Sequence, residues 1–180
     1  MNCLQFPIGN GAPETVNAII EVPSGCSNKY EYDKTSHVIR LDRPLYTSVH
    51  YPAEYGFIPS TLSPDGDALD ILVLVTHATF PGCLLEARPV GVLEMIDQGT
   101  PDQKILAVAK TSPTHAEIKV HTDLAPHVLR EIEHFFSVYK ELEGKRTQVK
   151  GWSNVKEAHR LIQEGHRRFR RHKTRKSRKK

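Results

Sequence analysis

The stretch Asp65-Gly66-Asp67-Ala68-Leu69-Asp70 carries three carboxylates in six residues and feeds directly into the apolar run Ile71-Leu72-Val73-Leu74-Val75. Carboxylates held beside a buried strand lose hydration and repel one another, so they are costly unless something positive neutralises them. In a loop, Asp65 and Asp67 can converge, and Asp70 can join them at the strand mouth. Hard oxygen donors grouped in this way suit Mg2+ or Mn2+. An EF-hand fails, because the sixth loop position is Asp70 rather than Gly and the twelfth is Thr76 rather than Glu. The competing reading is a solvated turn capped by aspartates.

A second acidic pair, Asp97 and Asp102, brackets the turn Gln98-Gly99-Thr100-Pro101, and Lys104 comes two residues later. Alone it reads as a polar hairpin loop, but at a strand end it could face the first cluster. In Lys29-Tyr30-Glu31-Tyr32-Asp33, a strand would put Lys29, Glu31 and Asp33 on one face and the two tyrosines on the other. Glu21, Asp42 and Arg43 fall on or beside neighbouring strands, which allows a charged barrel mouth. The carboxylates would bind divalent ions, while Lys29, Arg43, Lys104 and Lys140, with tyrosine hydroxyls, would bind phosphate oxygens. No Walker A run exists, since Arg146 succeeds Gly144-Lys145 and Tyr139 stands where the first Gly belongs. No Ser/His/Asp or Cys/His nucleophile motif is visible either. What remains is metal-activated water attacking a phosphorus centre.

Short strands must position these groups. Candidates are residues 16–22, 29–33, 38–41, 71–75, 88–95 and 104–109, separated by turns at Pro64-Asp65-Gly66, Pro81-Gly82 and Gly99-Thr100-Pro101. Two helices come after them. From about Pro126 to Glu143, Val128, Leu129, Ile132, Phe135, Phe136, Tyr139 and Leu142 recur at steps of three and four, and Gly144 stops the pattern. The second begins near Asn154, with Glu157 three residues on as a capping box, and runs through Ala158, Leu161 and Ile162. Many strands and then two helices predict an α+β fold, a small barrel with the helices packed outside.

The charge is divided. The formal net charge is +4, yet residues 166–180 hold ten Lys/Arg and no acid, which leaves residues 1–165 with a balance of −6. The body is therefore acidic, and the basic overall charge does not indicate a nucleic-acid-binding domain. No apolar run approaches the length of a transmembrane helix, so no membrane association is expected. The N-terminus lacks a basic region leading into an apolar one, so no signal peptide is visible. Cys3, Cys26 and Cys83 are odd in number and form no CxxC, which argues against a disulfide framework or zinc site and fits a reducing cytoplasm.

The motifs 29–34 (Lys-Tyr-Glu-Tyr-Asp-Lys), 51–59 (Tyr51-Pro52-Ala53-Glu54-Tyr55-Gly56-Phe57-Ile58-Pro59), 65–70, Arg88-Pro89-Val90-Gly91, and His134-Phe135-Phe136 through Tyr139-Lys140 closely resemble soluble family I inorganic pyrophosphatases of the bacterial type. The resemblance runs from Pro7 to Ile162 in the same order and spacing. It departs at Ala68, where the family signature usually has Pro or Glu, and in the basic tail. It implies a five-stranded OB-like barrel, hydrolysis of inorganic pyrophosphate, dependence on Mg2+ (with Mn2+ or Zn2+ able to substitute), a cytoplasmic location and a homohexamer. By the same match Asp65, Asp70, Asp97 and Asp102 would hold metal, with Glu21 and Glu31 holding metal-bound waters. Asp67 would be the general base. Lys29, Arg43, Tyr139 and Lys140 would grip the phosphoryl groups, with Tyr55 and Lys104 in support.

A different class of function, an OB-fold nucleic-acid module, would need aromatic residues on a basic face, whereas here the tyrosines sit among carboxylates. A metal-dependent phosphoesterase acting on larger substrates would use the same groups. Residues 1–165 are expected to form one domain and residues 166–180 a basic tail, disordered beyond a frayed helical extension, because ten positive charges in fifteen residues repel one another. That tail reads either as a solubilising extension or as a weak contact for polyanions. No catalytic group falls beyond Lys140 in this reading, so removing residues 166–180 is expected to leave turnover within about twofold.

Overall fold

The computed structural model describes residues 2–177. In chain order its elements are β1 (Val16–Val22), β2 (Asn28–Asp33), β3 (Val38–Pro44), β4 (Glu54–Ile58), β5 (Leu69–Leu74), β6 (Leu84–Asp97), β7 (Thr100–Pro101), β8 (Lys104–Ala109), α1 (Pro126–Val138), β9 (Thr147–Ser153) and α2 (Val155–Ser177). β1 pairs with both β4 and β6, so the path β1-β4-β5-β8-β6 returns to its start. Five strands thus close into the expected barrel, and closure leaves those strands no open edge. β7 and β9 extend the sheet from β6, and β2 with β3 forms a separate hairpin. The class is α+β, with two helices at the C-terminal end of the chain.

Alternation along β5 and β8 divides the interior in two. Leu72, Leu74, Leu106 and Val108 join Ile132, Phe135 and Phe136 of α1 in one cluster. Ile71, Val73, Ile105 and Ala107 join Ala158, Leu161 and Ile162 of α2 in a second. Both faces of these strands are therefore apolar, which is why they read as continuous hydrophobic runs. β5 and β8 are parallel, with Ile71 opposite Ile105. That register sets Asp70 and Lys104, each one residue earlier, side by side.

Four sequence expectations need correction. β4 and β9 are strands that the sequence pattern does not announce, and β6 runs from Leu84 to Asp97 rather than over residues 88–95. β6 is long because it serves four partners, β1, β7, β8 and β9. The first helix ends at Val138 rather than Glu143. Lys140 leaves helical geometry at φ −110°, ψ 0°, and a 3-10 turn at Glu141–Glu143 closes on Gly144 with φ +70°. Finally, the helical extension expected from residue 166 is longer than a frayed end, since α2 continues unbroken to Ser177. Asn154 caps its start through the amides of Lys156 and Glu157 at 3.0 and 3.2 Å. Arg and Lys propagate a helix well, and cations near its C-terminus match its dipole. Residues 178–180 of the expected tail lie outside the described residues.

Gly56 in β4 is where β1 comes closest. A Cβ there would stand 2.0 Å from the Ile19 carbonyl oxygen and 2.8 Å from Ile20 Cα, both backbone atoms that cannot swing aside. Gly56→Ala is expected to cost about 3 kcal/mol or more, at the upper end of overpacking penalties, measured by urea unfolding.

Candidate active site

One cavity of about 550 Å³ opens at the barrel end where β5 and β8 begin and β6 ends. The aspartate loop supplies Asp65 and Asp67 to its rim, both exposed, and Asp70 enters from the start of β5. Asp97 and Asp102 arrive on the two arms of the β6–β7 hairpin. Its turn residues Gln98 and Gly99 have φ of 49° and 87°, the left-handed pair that a two-residue hairpin with twisted strands requires. Glu21 reaches the cavity through a β-bulge. Ile20 faces Gly56 and Val22 faces Tyr55, so Glu21 is the extra residue and its side chain is re-aimed. Glu31 and Lys29 come from β2, and Tyr139 and Lys140 from the break after α1.

Lys104 is the centre of this arrangement. It is 2% exposed, and its Nζ donates to Asp70 Oδ2 at 2.6 Å and Asp102 Oδ1 at 2.7 Å. Burial works against its charge, but Asp70 and Asp102 outweigh that and hold the ammonium above its ordinary pKa. Asp102 is itself raised, burial being only partly offset by Lys104. The Tyr55 hydroxyl donates to the same Asp70 oxygen at 2.8 Å. The Lys104 ammonium also stands 5.6 Å from the Tyr55 ring centre and 5.8 Å from that of Phe136. Lys140 repeats the theme with Asp97 at 2.5 Å and the Tyr139 ring at 5.2 Å.

Burial, with Asp70 and Asp102 nearby, pushes the Tyr55 phenol well above its ordinary pKa. Burial with Asp97 and Asp102 does the same to Tyr139. Both therefore keep their protons and can donate to an anion. Glu21 is pushed up to about 8, first by burial and then by Asp70, against the Tyr32 amide that donates to it at 2.7 Å.

Of the thirteen side chains singled out from the sequence, twelve line this cavity. The exception is Arg43. Its Nε donates to Glu143 Oε1 at 2.8 Å and it pairs with Asp42, an arrangement that holds it aside from the cavity wall. It remains near enough to draw the Tyr139 pKa downward. Asp33, expected on the charged face of β2, instead accepts the amides of Thr35 and Ser36 at 2.7 and 3.0 Å and caps the β2–β3 turn. Sequence reasoning assigned no role to four charged lining residues. Lys34 pairs with Asp67 across the cavity mouth. Arg160, Glu164 and Arg168 line it from α2, and their spacing of four, one helical face, was the available signal.

The lining holds eight carboxylates against six Lys/Arg side chains, so it is acidic without being an anion repeller at every point. Among the described residues no three carboxylates already converge as a preformed cation cage, because lysines stand between them. Asp97 Oδ1, however, is buried with no hydrogen-bond partner among the described residues. An orphaned carboxylate oxygen near Asp102 is a free hard donor, so these residues fit a small divalent cation.

The family model for inorganic pyrophosphatase matches residues 18–170. The chain is 51% identical over 150 residues to the inorganic pyrophosphatase of Nostoc sp., covering 83% of this chain and 89% of that one. It is 48% identical over 158 residues to that of Sulfolobus acidocaldarius, covering 86% and 91%. The crystal structure of inorganic pyrophosphatase from Thermus thermophilus superposes with a TM-score of 0.92 at 42% identity, covering 94% of this chain and 99% of that one.

Replacing Lys104 by methionine would leave Asp70 and Asp102 buried without their shared cation. Removing one side of a buried ion pair typically costs about 3–5 kcal/mol. Lys104→Met is expected to lose about 3 kcal/mol or more in metal-free urea unfolding at pH 7, whereas exposed-pair variants such as Lys110→Met should change little.

Proposed function

The chain belongs to the inorganic pyrophosphatase family and hydrolyses inorganic pyrophosphate to two orthophosphates, and we propose that it does so with Mg2+ held by Asp65, Asp70, Asp97 and Asp102 and with Asp67 as general base. The observation that carries this reading is a cavity in which hard carboxylate donors alternate with ammonium and phenol donors. Mg2+ bound among those carboxylates would supply positive charge for phosphate oxygens and make water acidic near neutral pH. Mn2+ or Zn2+ could substitute at the same oxygens.

The chain's own groups divide the work. Asp67 stands at the exposed rim, where it can take a proton from the attacking water, and its partner Lys34 holds the carboxylate over the mouth. Glu21 and Glu31 face the cavity from β1 and β2 and would orient waters. Lys29, Lys140 and the protonated Tyr139 would grip the phosphoryl oxygens and stabilise the leaving phosphate. Lys104 and Tyr55 act mainly on Asp70, fixing its carboxylate by donating to the same oxygen, Oδ2. Arg43 would assist from its tether at Glu143, by field rather than by contact.

A homohexamer in the cytoplasm is part of the proposal. The apolar face of α1 is used by the core, whereas Phe80 in the loop before β6 is 65% exposed and Leu84 at the start of β6 45%, so that region is the proposed contact surface. Three free cysteines are compatible with a reducing compartment.

Two substitutions separate the roles. Asp67→Asn is expected to lower turnover by about 10² to 10⁴-fold, the usual range for a general base, with the Mg2+ concentration for half-maximal rate unchanged. Asp70→Asn is expected to raise that concentration as well, since it removes a ligand charge. Steady-state kinetics across a Mg2+ series checks both, and equal mild effects would refute the division. For the assembly, sedimentation at micromolar concentration is expected to give one closed oligomer, and a monomer alone would refute it.

A further inference from the structure

The aspartate loop has little of its own to hold it. Residues 64–67 are exposed, and the hydrogen bonds within the loop are short-range: Ser63 N to Asp67 O at 2.6 Å, Gly66 N to Ser63 O at 3.1 Å, Asp67 N to Asp65 Oδ1 at 2.9 Å. Both of its ends converge on residues 60–62, because the Leu69 amide returns to Thr61 Oγ1 at 3.0 Å. Whatever fixes residues 60–62 therefore fixes Asp65 and Asp67.

That backbone is held by α2, near the C-terminal end of the stretch that matches the family model. The Leu62 amide donates to the Gly165 carbonyl at 3.0 Å, and Arg168 Nε donates to the Leu62 carbonyl at 2.8 Å, so one residue of the loop root is clasped from both sides. His166 Nδ1 lies 2.8 Å from the Ser60 carbonyl, which can only accept, so that nitrogen carries the proton. Ser60 itself sits at φ +55°, an unfavourable conformation for a residue with a side chain, which persists only when its surroundings over-determine it. Gly165 is what permits the approach. A Cβ there would stand 2.7 Å from Leu69 Cδ1 and 3.2 Å from Leu69 Cγ, in a side chain that is 3% exposed. A glycine inside a helix is unfavourable by about 0.5–1 kcal/mol relative to alanine, so close contact is the reason for its place here. Farther out, Glu164 bridges Arg160 at 2.7 Å and Arg168 at 3.8 Å on the face of α2 that lines the cavity.

We propose that the clasp formed by Gly165, His166 and Arg168 positions the aspartate loop, with Arg168 as a positioning residue for Asp65 and Asp67. The inference rests on the assignment of Asp65 to metal and Asp67 to proton transfer. It runs against the expectation that removing residues 166–180 leaves turnover within about twofold. The basic stretch has two parts: its beginning belongs to the site, and only the portion beyond Arg171 is separable from it.

The test uses full-length protein and amide hydrogen exchange over residues 60–69 without metal, and then turnover across a Mg2+ series. Residues that orient metal ligands from behind typically cost about 10–100-fold in affinity or activity when removed. Arg168→Ala is expected to speed Leu62 amide exchange about tenfold and to raise the Mg2+ concentration for half-maximal rate by about tenfold, with the Michaelis constant for pyrophosphate nearly unchanged. Arg168→Lys keeps a donor for the Leu62 carbonyl and should recover most of both effects. Gly165→Ala should reproduce them by separating helix from loop, and truncation after Arg171 should leave both readouts as in the parent. Arg168→Ala with parental exchange and Mg2+ dependence, while Asp67→Asn is inactive, would overturn the clasp alone. So would truncation after Arg171 reproducing the Arg168→Ala effects. An Asp67→Asn variant of full activity would remove the reading of the site and the inference with it.

Discussion

A lysine buried to 2% exposure between two carboxylates organises this protein. Lys104 is held by the parallel register of β5 and β8, which sets it beside Asp70, and by a two-residue step along the chain that brings Asp102. Charges so placed are tolerable only when every partner is present, and that demand fixes the barrel end. β6 must run long enough to deliver Asp97 and Asp102 through its hairpin. β4 must lie against β1 closely enough that only glycine fits at position 56. The same lysine orients Asp70 and stands between it and Asp102.

The site is therefore a mixture of signs. An all-acid pocket would bind cations and repel pyrophosphate. An all-basic one would bind the anion without cations to activate water. Alternating Asp70, Lys104, Asp102, Asp97 and Lys140, with protonated tyrosines beside them, admits both partners of the reaction. Lys34 and the α2 clasp then hold the exposed rim, one at its tip and one at its root.

What the sequence displays most clearly is chemistry that is contiguous. Asp65 to Asp70, Asp97 to Lys104 and Tyr139-Lys140 each lie within a few residues, so spacing alone assembles them. The barrel was legible for a similar reason, since β1, β5 and β8 are apolar runs of strand length. β4 and β9 were not, because Gly56 and Gly151 interrupt them and β9 alternates only weakly between half-buried and exposed positions. The interactions that escaped are those closed by the fold over long separations. Lys34 meets Asp67 across 33 residues, Arg43 meets Glu143 across 100, and Arg168 meets Leu62 across 106. For Arg43 that closure turned an expected cavity residue aside. For residues 166–177, charge repulsion argues for disorder, but helix propensity with packing prevails.

The central claim is that this mixed-sign cavity hydrolyses pyrophosphate only when a small divalent cation completes it. Phosphorus NMR of pyrophosphate incubated with the purified full-length protein, in Mg2+ and in excess chelator, tests it most directly. Conversion of the pyrophosphate signal into orthophosphate is expected with Mg2+ and none with chelator. Equal conversion in both, or none in either, would contradict it.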